Sequence, residues 1–387
     1  MRALLLGMMF AATAAGAHAD DQSGVKADAA SSGWTYSLTW TGEVAGPVSG
    51  GLPDRLSALD LLALEASFDL ETIGWRGGAL HLQLQSTSGR NPNDDAGFLE
   101  GLSNIEVGRP CARLYELYLE QKLGDRGVLR GGFIDLNSGF YATDASALLT
   151  APPFGIGTEL AATGPAGPSI FPSTAPAITL HIEPGEAGAF LSLGAFAAEA
   201  GNWGDPGGPL DDLDEGGLLI AEGGMASDAG RLAFGAWTYT QEQTDLRMGG
   251  DEARAWGAYM LAERPIGPFA GADTTLFLRA GISDGRTGDF AGSWTGGVLM
   301  DGVLPGRPSS AASIGLRQSF LSDPARDAAR AAGTPLEASE FGLEAVLADA
   351  VTDWLSVKGS VQFVPDPGAD PERDAVVVFG LRLEVSL

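Results

Sequence analysis

The sequence predicts an all-β protein, and three observations indicate this class. Apolar and polar residues alternate with a period of two in many short segments, which is the pattern of strands with unlike faces. Clusters of Gly, Pro, Asp and Asn, such as SGRNPNDDAG and PDPGADPERD, separate these segments and indicate turns. After the amino-terminal stretch the chain contains no run of about 18 apolar residues, so helical membrane spans are excluded.

The amino terminus, MRALLLGMMFAATAAGAHADD, has the three parts of a secretory signal peptide. Arg2 gives a basic start, residues 4–17 form an apolar core that is short for a membrane span, and Ala17-His18-Ala19 fits the A-x-A cleavage pattern. We therefore expect residues 1–19 to be removed and the mature chain to start at Asp20.

Composition limits the possible partners and the way the fold is stabilised. The formal net charge of −27 excludes a nucleic-acid partner, because such proteins need a basic surface. Cys111 is the single cysteine of the chain, so there is no internal disulfide framework. Apolar residues make up 44% of the sequence, which is more than a disordered chain contains.

The clearest alternating segments each predict one strand. The segment at 56–70 also fits a helical period, and we interpret it as a strand. In chain order the segments are LSALDLLALEASFDL (56–70), LHLQLQST (80–87), RLYELYLEQ (113–121), TTLFLRAGI (274–282), ASIGLRQSF (312–320), DWLSVKGSVQFV (353–364) and AVVVFGLRLEVSL (375–387).

Alternation alone fits two architectures. In a soluble β-sandwich the apolar face points inward, whereas in a membrane barrel it meets lipid and the polar face lines a lumen. The last segment puts Val377, Phe379 and Leu381 on one face and Arg382 and Glu384 on the other. Long apolar faces, uneven strand spacing and isolated cations beside glycine favour the barrel. Sixteen strands of about ten residues fit the chain length.

Several segments carry a resemblance to a known family. VSGGLPDRLSALDLLALEASFDLETIGWRGGALHLQLQ resembles the amino-terminal block of the carbohydrate-selective, OprB-type outer-membrane porins. Further blocks follow in the same order, among them RLYELYLEQ, GGFIDLNSGFYATDASALLTAPPFG, GRLAFGAWTYT and LFLRAGISDGRTGDFAGSWTGGVLMDGVLPGRP. The resemblance implies a transmembrane antiparallel barrel of 16 strands in the bacterial outer membrane, with short periplasmic turns and longer extracellular loops.

The same resemblance sets the expected domains and partners. Residues 49–387 are expected to form the barrel, and residues 20–48 are a segment of uncertain structure that leads into it. The implied function is passive diffusion of glucose-type mono- and oligosaccharides. The implied partners are these sugars, outer-membrane lipid and lipopolysaccharide, the barrel-assembly machinery and, in a homotrimer, further copies of the chain.

Alternation predicts which side chains line the lumen. A guanidinium can donate two hydrogen bonds to neighbouring sugar hydroxyls, a carboxylate can accept them, and an aromatic ring can cover the apolar face of a sugar. An alternative is that these arginines pair with glutamates across strands and only set the electric field. The candidate sugar contacts are Arg130, Arg279, Arg317, Lys358, Arg382, Glu384, Glu116 and Tyr118. In RLYELYLEQ, the alternation puts Tyr115 on the opposite, lipid face with Leu117.

Other segments give weaker predictions. Residues 150–176 contain six of the 22 prolines and cannot form a regular central strand, so they are either folded into the pore or lie on the surface. Trp237, Tyr239, Trp294 and Trp354 are expected to be packing or girdle aromatics.

Two departures from the family pattern bear on function. The chain ends in Leu387 where many barrels end in Phe, and it is strongly acidic where a basic constriction is expected. A general or cation-preferring porin of the same fold is therefore one alternative. A soluble secreted carbohydrate-binding β-protein is another.

Enzymatic chemistry is not expected. His81 and His181 are the histidines of the mature chain, they lie far apart in sequence, and no G-x-S-x-G motif accompanies them. We expect no catalytic residue, no metal site and no cofactor.

Overall fold

The computed structural model describes residues 33–164, 167–185, 188–200, 216–247 and 252–387, so the predicted signal peptide lies outside the described residues. These ranges contain sixteen strands. In chain order the strands are β1 Trp34–Ser49, β2 Ser57–Asp69, β3 Gly78–Gly89, β4 Cys111–Lys122, β5 Gly127–Ile134, β6 Ala175–Ile182, β7 Ala189–Ala197, β8 Gly217–Ser227, β9 Gly230–Thr244, β10 Glu252–Phe269, β11 Ala272–Ser283, β12 Phe290–Asp301, β13 Ser310–Leu321, β14 Ser339–Thr352, β15 Leu355–Val364 and β16 Val376–Ser386.

The strands close into one antiparallel barrel. Each strand pairs with its neighbours in the chain, and β1 pairs with β16 to complete the ring, with Val44 opposite Leu381 and Glu43 opposite Arg382. Closure satisfies the backbone groups of every strand, as a sheet surrounded by lipid requires. The predicted fold class is confirmed. The barrel begins at Trp34, before the predicted boundary at residue 49, because β1 already belongs to the wall.

The connections differ in length at the two ends of the barrel. The end that carries Gly33, the first described residue, and the last residue of β16 has short turns, at residues 123–126, 228–229, 270–271 and 353–354. The opposite end has the long connections, at 90–110, 135–174, 322–338 and 365–375. In outer-membrane barrels the short turns are periplasmic and the long loops extracellular.

Helices occupy only connecting segments. The α-helices are α1 Asn93–Ala96, α2 Thr158–Ala161 and α3 Asp323–Ala332, and short 3-10 helices span Leu70–Ile73, Leu136–Ser138, Asp144–Ser146, Pro152–Phe154 and Pro367–Ala369. Within the described ranges, no helix combines the length and apolar character needed to span a membrane.

The predicted alternation is visible in the exposure of each strand. On β16, Leu381 is 43% exposed on the outer face, whereas Arg382 is 4% exposed on the inner face. The segment at 56–70 lies mainly in β2, with Leu62 and Leu64 exposed outward and Leu59 and Leu61 buried inward. Apolar residues that are exposed to the outside and polar residues inside are the arrangement of a barrel in lipid, and not of a soluble sandwich.

One strand departs from strict alternation. The pairing of β3 with β4 shifts between Gln83 and Leu84, so that Tyr115 forms a bulge. Tyr115 is 1% exposed and its hydroxyl donates a hydrogen bond of 2.7 Å to Asp135, which lies inside the barrel. The prediction that Tyr115 faces lipid is wrong, because an extra residue in a strand changes the face of its neighbours.

Large apolar and aromatic side chains cluster at the periplasmic end of the outer surface. Tyr36 near the start of β1, Trp75 in the 70–77 connection, and Phe269 and Trp354 at the short turns are strongly exposed. This is the position of an aromatic girdle at a membrane interface, and Trp354 is placed as predicted.

Candidate functional site

The described residues of the 135–174 connection, 135–164 and 167–174, are here called the pore loop and lie inside the barrel. Its apolar residues, among them Leu136, Tyr141, Leu149 and Phe154, pack against inward side chains of β8–β14. Of the two alternatives for the proline-rich segment 150–176, the structure shows residues 150–164 and 167–174 folded into the lumen, while residues 175–176 begin β6. Trp237 and Tyr239 are buried beneath the pore loop, so they are packing aromatics.

Carboxylates on the wall bind the backbone of the pore loop. Each carboxylate accepts a hydrogen bond from backbone N–H groups that have no partner within the irregular loop. Without these acceptors the buried N–H groups would remain unpaired, which is energetically costly. The bonds run from Asp135 to Glu116 (2.8 Å), from Tyr141 to Glu222 (2.8 Å), from Ala145 to Glu263 (2.7 Å), and from Thr150 and Ala151 to Glu344 (2.8 and 2.9 Å).

Arg279 of β11 binds backbone carbonyl groups of the pore loop. Its guanidinium donates to the carbonyl oxygens of Tyr141 (2.9 Å), Gly155 (2.5 Å) and Pro153. The side chain is 2% exposed. The inward direction of Arg279 is as predicted, but its donors are occupied by the loop.

A second internal segment, residues 90–110, is here called the inner loop. Arg317 of β13 pairs with Glu100 of this loop and lies 3.6 Å from Glu340 of β14. Glu340 in turn accepts the backbone N–H groups of Leu99 and Gly368. Arg317 is 1% exposed and also serves to hold a loop. The residues SGRNPNDDAG predicted a turn, but they did not indicate that the inner loop enters the lumen.

The inner loop also contacts the seam between β1 and β16. Arg382 donates to Glu43 from Nε (2.8 Å) and Nη2 (2.5 Å), and to Ser103 (3.1 Å) and Asn104 (2.8 Å) of the inner loop. Lys358 is the cross-strand partner of Arg382 and is also buried. Glu384 lies lower on the same strand and is only half-buried.

The inner wall of β3–β5 carries a more open cluster. The rings of His81 and Tyr118 stack with centroids 4.8 Å apart, and Arg130 lies 5.4 Å above the Tyr118 ring. Arg130 donates from Nε to Glu120 (2.9 Å) and keeps 20% of its side chain exposed. His81 Nδ1 shares a hydrogen bond of 2.8 Å with Ser67.

The inner wall of β6–β9 carries a similar cluster. The rings of His181 and Phe190 stack with centroids 6.0 Å apart, and Arg231 lies 5.2 Å from the Phe190 ring. Arg231 donates from Nη2 to Glu222 (2.6 Å) and from Nη1 to the carbonyl oxygen of Ala142 on the pore loop (3.0 Å), and it keeps 19% of its side chain exposed. Alternation in GRLAFGAWTYT, with Leu232 and Phe234 outward, could have identified Arg231 as a lumen residue.

Comparison with known proteins now identifies the fold and its class. A profile of the family "Carbohydrate-selective porin, OprB family" matches residues 54–387, which is more than half of the chain. This chain belongs to that family.

Individual relatives agree with the assignment. Porin B of Pseudomonas aeruginosa is 22% identical over 94% of this chain and 90% of its own length. The high-pH structure of OprB from Pseudomonas putida has a TM-score of 0.83 at 20% identity, covering 93% of this chain and 96% of that one. The outer-membrane channel DcaP of Acinetobacter baumannii has a TM-score of 0.58 at 11% identity, covering 92% and 97%.

These findings define the protein as a carbohydrate-selective porin of the outer membrane, which is a channel and not an enzyme. The prediction of the family, the fold, the location and the class of solute is confirmed. The described residues hold no group of three or more His, Cys, Asp or Glu that could bind a metal.

The eight predicted sugar contacts all lie on the inner wall, but they do not form one site. Arg279, Arg317, Arg382 and Glu116 hold the two loops. Lys358 lies in the buried row beside Arg382. Arg130, Tyr118 and Glu384 keep exposed surface in the periplasmic part of the lumen.

Burial changes the acidity of carboxyls on the loops. Glu106 accepts backbone N–H groups of Leu102 and Ser103, yet burial outweighs these bonds and raises its pKa to about 8. Burial likewise raises the pKa of Asp135 to about 6. A carboxyl with a raised pKa is less ionised at neutral pH, so part of the formal acidity of the chain is not expressed as charge.

Proposed function

We propose that this porin conducts glucose-type mono- and oligosaccharides by passive diffusion, and that they contact the partly exposed side chains of the periplasmic lumen. Of the eight predicted contacts, the proposal keeps Arg130, Tyr118 and Glu384 as direct sugar contacts. The observation that carries it is the contrast in exposure between Arg130, at 20%, and Arg279 and Arg317, at 2% and 1%. A side chain whose donors are occupied by a loop is unable to bind a passing hydroxyl.

The proposed contacts provide weak and reversible binding. Tyr118 and Arg130, on β4 and β5, present a ring and N–H donors, and Glu384, on β16, presents acceptors elsewhere on the wall, so each can contact part of a passing sugar. A channel conducts only if its solute also leaves, so we expect millimolar rather than tight binding.

Single-channel current in a planar bilayer tests this function. Glucose added to the bath should reduce the current saturably, because an occupied site blocks ions. A channel whose current does not respond to glucose, or to its oligomers, contradicts the proposal.

A cation-preferring diffusion porin is the second candidate, and the net charge of −27 favours it. Against it, Glu116, Glu222, Glu263 and Glu344 each accept backbone N–H groups or pair with arginine, which leaves less free negative charge in the lumen. The reversal potential in a potassium chloride gradient distinguishes the candidates. Strong cation selectivity without glucose block would support the second.

The remaining partners are part of the same proposal. The outward apolar face of β16, up to the exposed Leu387, supports recognition by the barrel-assembly machinery and contact with lipid and lipopolysaccharide. Family resemblance supports a homotrimer. Crosslinking of the protein in intact outer membranes tests the trimer, and a single band at monomer mass contradicts it.

A further inference from the structure

We propose that the outer face of β1–β4 is the surface through which copies of this chain contact one another in the membrane. This surface, here called the Asp60 patch, comprises one carboxylate and the small or polar outward residues around it, which are Gly42, Ala58, Ser86, Ser88 and Ala112. The inference rests on the homotrimer proposed above and names its contact surface. The proposed diffusion of sugars does not depend on it.

The side chain of Asp60 points out of the barrel. Its position in β2 alternates in phase with Leu62 and Leu64, which are 40% and 39% exposed on the outer face. The carboxylate accepts hydrogen bonds from Trp40 Nε1 of β1 at 3.2 Å and from Ser88 Oγ of β3 at 2.7 Å. Trp40 and Ser88 are both exposed. A carboxylate and two hydrogen-bond donors therefore lie on the face that elsewhere meets lipid.

Asp60 lies at the depth of the apolar band. Ala66 of β2 pairs with Tyr36, which belongs to the periplasmic girdle. Asp60 is six residues further along the strand, which corresponds to about 15 Å of height at about 3.3 Å per residue and a strand tilt of about 40°. The apolar band of such a barrel is about 25 Å tall. The exposed Val48 and Leu56 continue the apolar surface beyond Asp60, so the carboxylate does not lie among headgroups.

Lipid alone does not suit this part of the wall. The outward residues of β16 are apolar along the whole strand, with Phe379 and Leu381 at its centre, as contact with acyl chains requires. An ionisable side chain at this depth is costly in lipid and marks a contact with other polar groups. Acyl chains have no hydrogen-bond donor for the remaining acceptor sites of the Asp60 carboxylate. A protein surface is the partner that can cover the patch.

A second copy of the chain matches the patch. The β2 side carries the acceptor, Asp60, and the β3–β4 side carries the Ser86 hydroxyl, which can donate to the carboxylate of a neighbour. Gly42 pairs with Asp60, and Ala112 pairs with Ser86, so small residues accompany the polar ones on both sides. Small residues let two walls approach closely, which favours association in lipid. Contact between unlike sides of identical patches closes a ring of copies.

The width of the patch fits a ring of three barrels. Three equal cylinders around one axis touch along lines that are about 60° apart on each wall. One strand of a closed sixteen-stranded wall spans about 22.5°, so β1 and β4 lie about 67° apart. The β1 side can therefore contact one neighbour while the β4 side contacts the other.

Cysteine crosslinking in intact outer membranes tests this surface. Cys111 is the single native cysteine, so Cys111→Ser provides a background without thiols. In this background, Ala58→Cys places a thiol on the patch, and Ala236→Cys places one on the outer face of β9, on the far side of the barrel. A short membrane-permeant bismaleimide should join two copies through Ala58→Cys and none through Ala236→Cys.

Substitution of Asp60 tests the polar contact. Asp60→Leu makes this position apolar and leaves the lumen untouched, so the barrel should form, as judged by heat-modifiable migration, and glucose block should stay unchanged. The mass of the protein in detergent, measured by light scattering, should fall from that of three copies to that of one. Asp60→Asn keeps a hydrogen-bonding group and should retain the larger mass. If Asp60→Leu does not assemble, the crosslinking pair decides alone.

The outcomes separate this surface from the homotrimer itself. If the unchanged protein has the mass of three copies and Ala236→Cys is crosslinked in place of Ala58→Cys, copies meet through another face and the inference is wrong. If the unchanged protein has the mass of one copy and neither cysteine is crosslinked, the homotrimer fails and lipid covers the patch. An assembled Asp60→Leu variant with the mass of three copies contradicts the role of Asp60. Crosslinking through Ala58→Cys alone supports the patch.

Discussion

The wall beneath the pore loop and the periplasmic wall of β3–β5 use the same residue types for different purposes. Arg279 and Arg130 both point inward from a strand, yet Arg279 binds three loop carbonyls and Arg130 lies over Tyr118 with exposed surface. The difference arises because the pore loop covers Arg279 completely and leaves Arg130 partly exposed. The role of an arginine in this barrel is thus decided by the segment opposite it, and not by its own strand.

The largest effect is expected from comparing one substitution on each face of β16. Leu381→Asp places a charge on the lipid face of β16, at a cost below the about 2–4 kcal/mol that Arg or Lys costs at the bilayer midplane. It should prevent assembly, seen as loss of the heat-modifiable form. Arg382→Ala on the inner face should assemble and change conductance. Equal damage from both would contradict the assignment of faces.

A comparison of Arg279→Ala with Arg130→Ala should separate loop anchoring from sugar contact. Arg279→Ala removes three hydrogen bonds from a charged donor, each of which contributes about 1.5–3 kcal/mol. The pore loop should loosen, with larger and noisier single-channel currents. Arg130→Ala should leave the current noise as it was and weaken glucose block. If both variants showed weaker glucose block and neither showed noisier current, Arg279 and Arg130 could not be assigned the different roles of loop anchor and sugar contact.

A smaller effect is expected where the pore loop contacts glycine. A Cβ at Gly315 would lie 2.5 Å from Leu149 Cδ1 and from Phe154 Cζ, both on the pore loop. Gly315→Ala should therefore displace the loop at a cost of about 1–3 kcal/mol, measurable as raised conductance and a lower melting temperature. Gly359→Ala is the matched control, because nothing lies within 4 Å of its Cβ position. Similar behaviour of both variants would contradict close packing at Gly315.

The smallest effect is a dependence on pH. The pKa of Glu106 is raised to about 8, so the folded protein retains a proton that the unfolded chain releases near pH 4.5. The stability of the inner loop is therefore greatest below pH 4.5 and is lost as pH rises to about 8. Hydrogen exchange of Leu102 and Ser103 amides between pH 5 and 9, corrected for intrinsic rates, measures this. Glu106→Gln should reduce the dependence, and an unchanged profile would exclude Glu106 as its source.

Strand positions and faces could be predicted from the sequence because alternation depends only on neighbouring residues. The inward direction of Arg279, Arg317 and Arg382 followed from it. The first strand, WTYSLTWTGEVAGPVS, was missed because polar residues and Gly lie on both of its faces. The bulge at Tyr115 was missed because an extra residue leaves no mark in the alternating pattern.

The roles of the lumen side chains could not be predicted in the same way. Glu344 binds Thr150 and Arg317 binds Glu100, contacts that join residues far apart in the chain. The inner and pore loops have no periodic pattern, so the sequence does not state which wall they cover. Both histidines were read as isolated residues, and only the barrel reveals that each stacks on an aromatic ring.

The contacts of Ser103 have a consequence for the order of assembly. Its hydroxyl donates to Glu43 on β1 at 2.9 Å and accepts from Arg382 on β16 at 3.1 Å, while Ser103 itself belongs to the connection between β3 and β4. The first and last strands must already be adjacent before both bonds can form. Docking of the inner loop is therefore a late event in assembly. It adds hydrogen bonds across the β1–β16 junction that an intermediate with an open barrel cannot form.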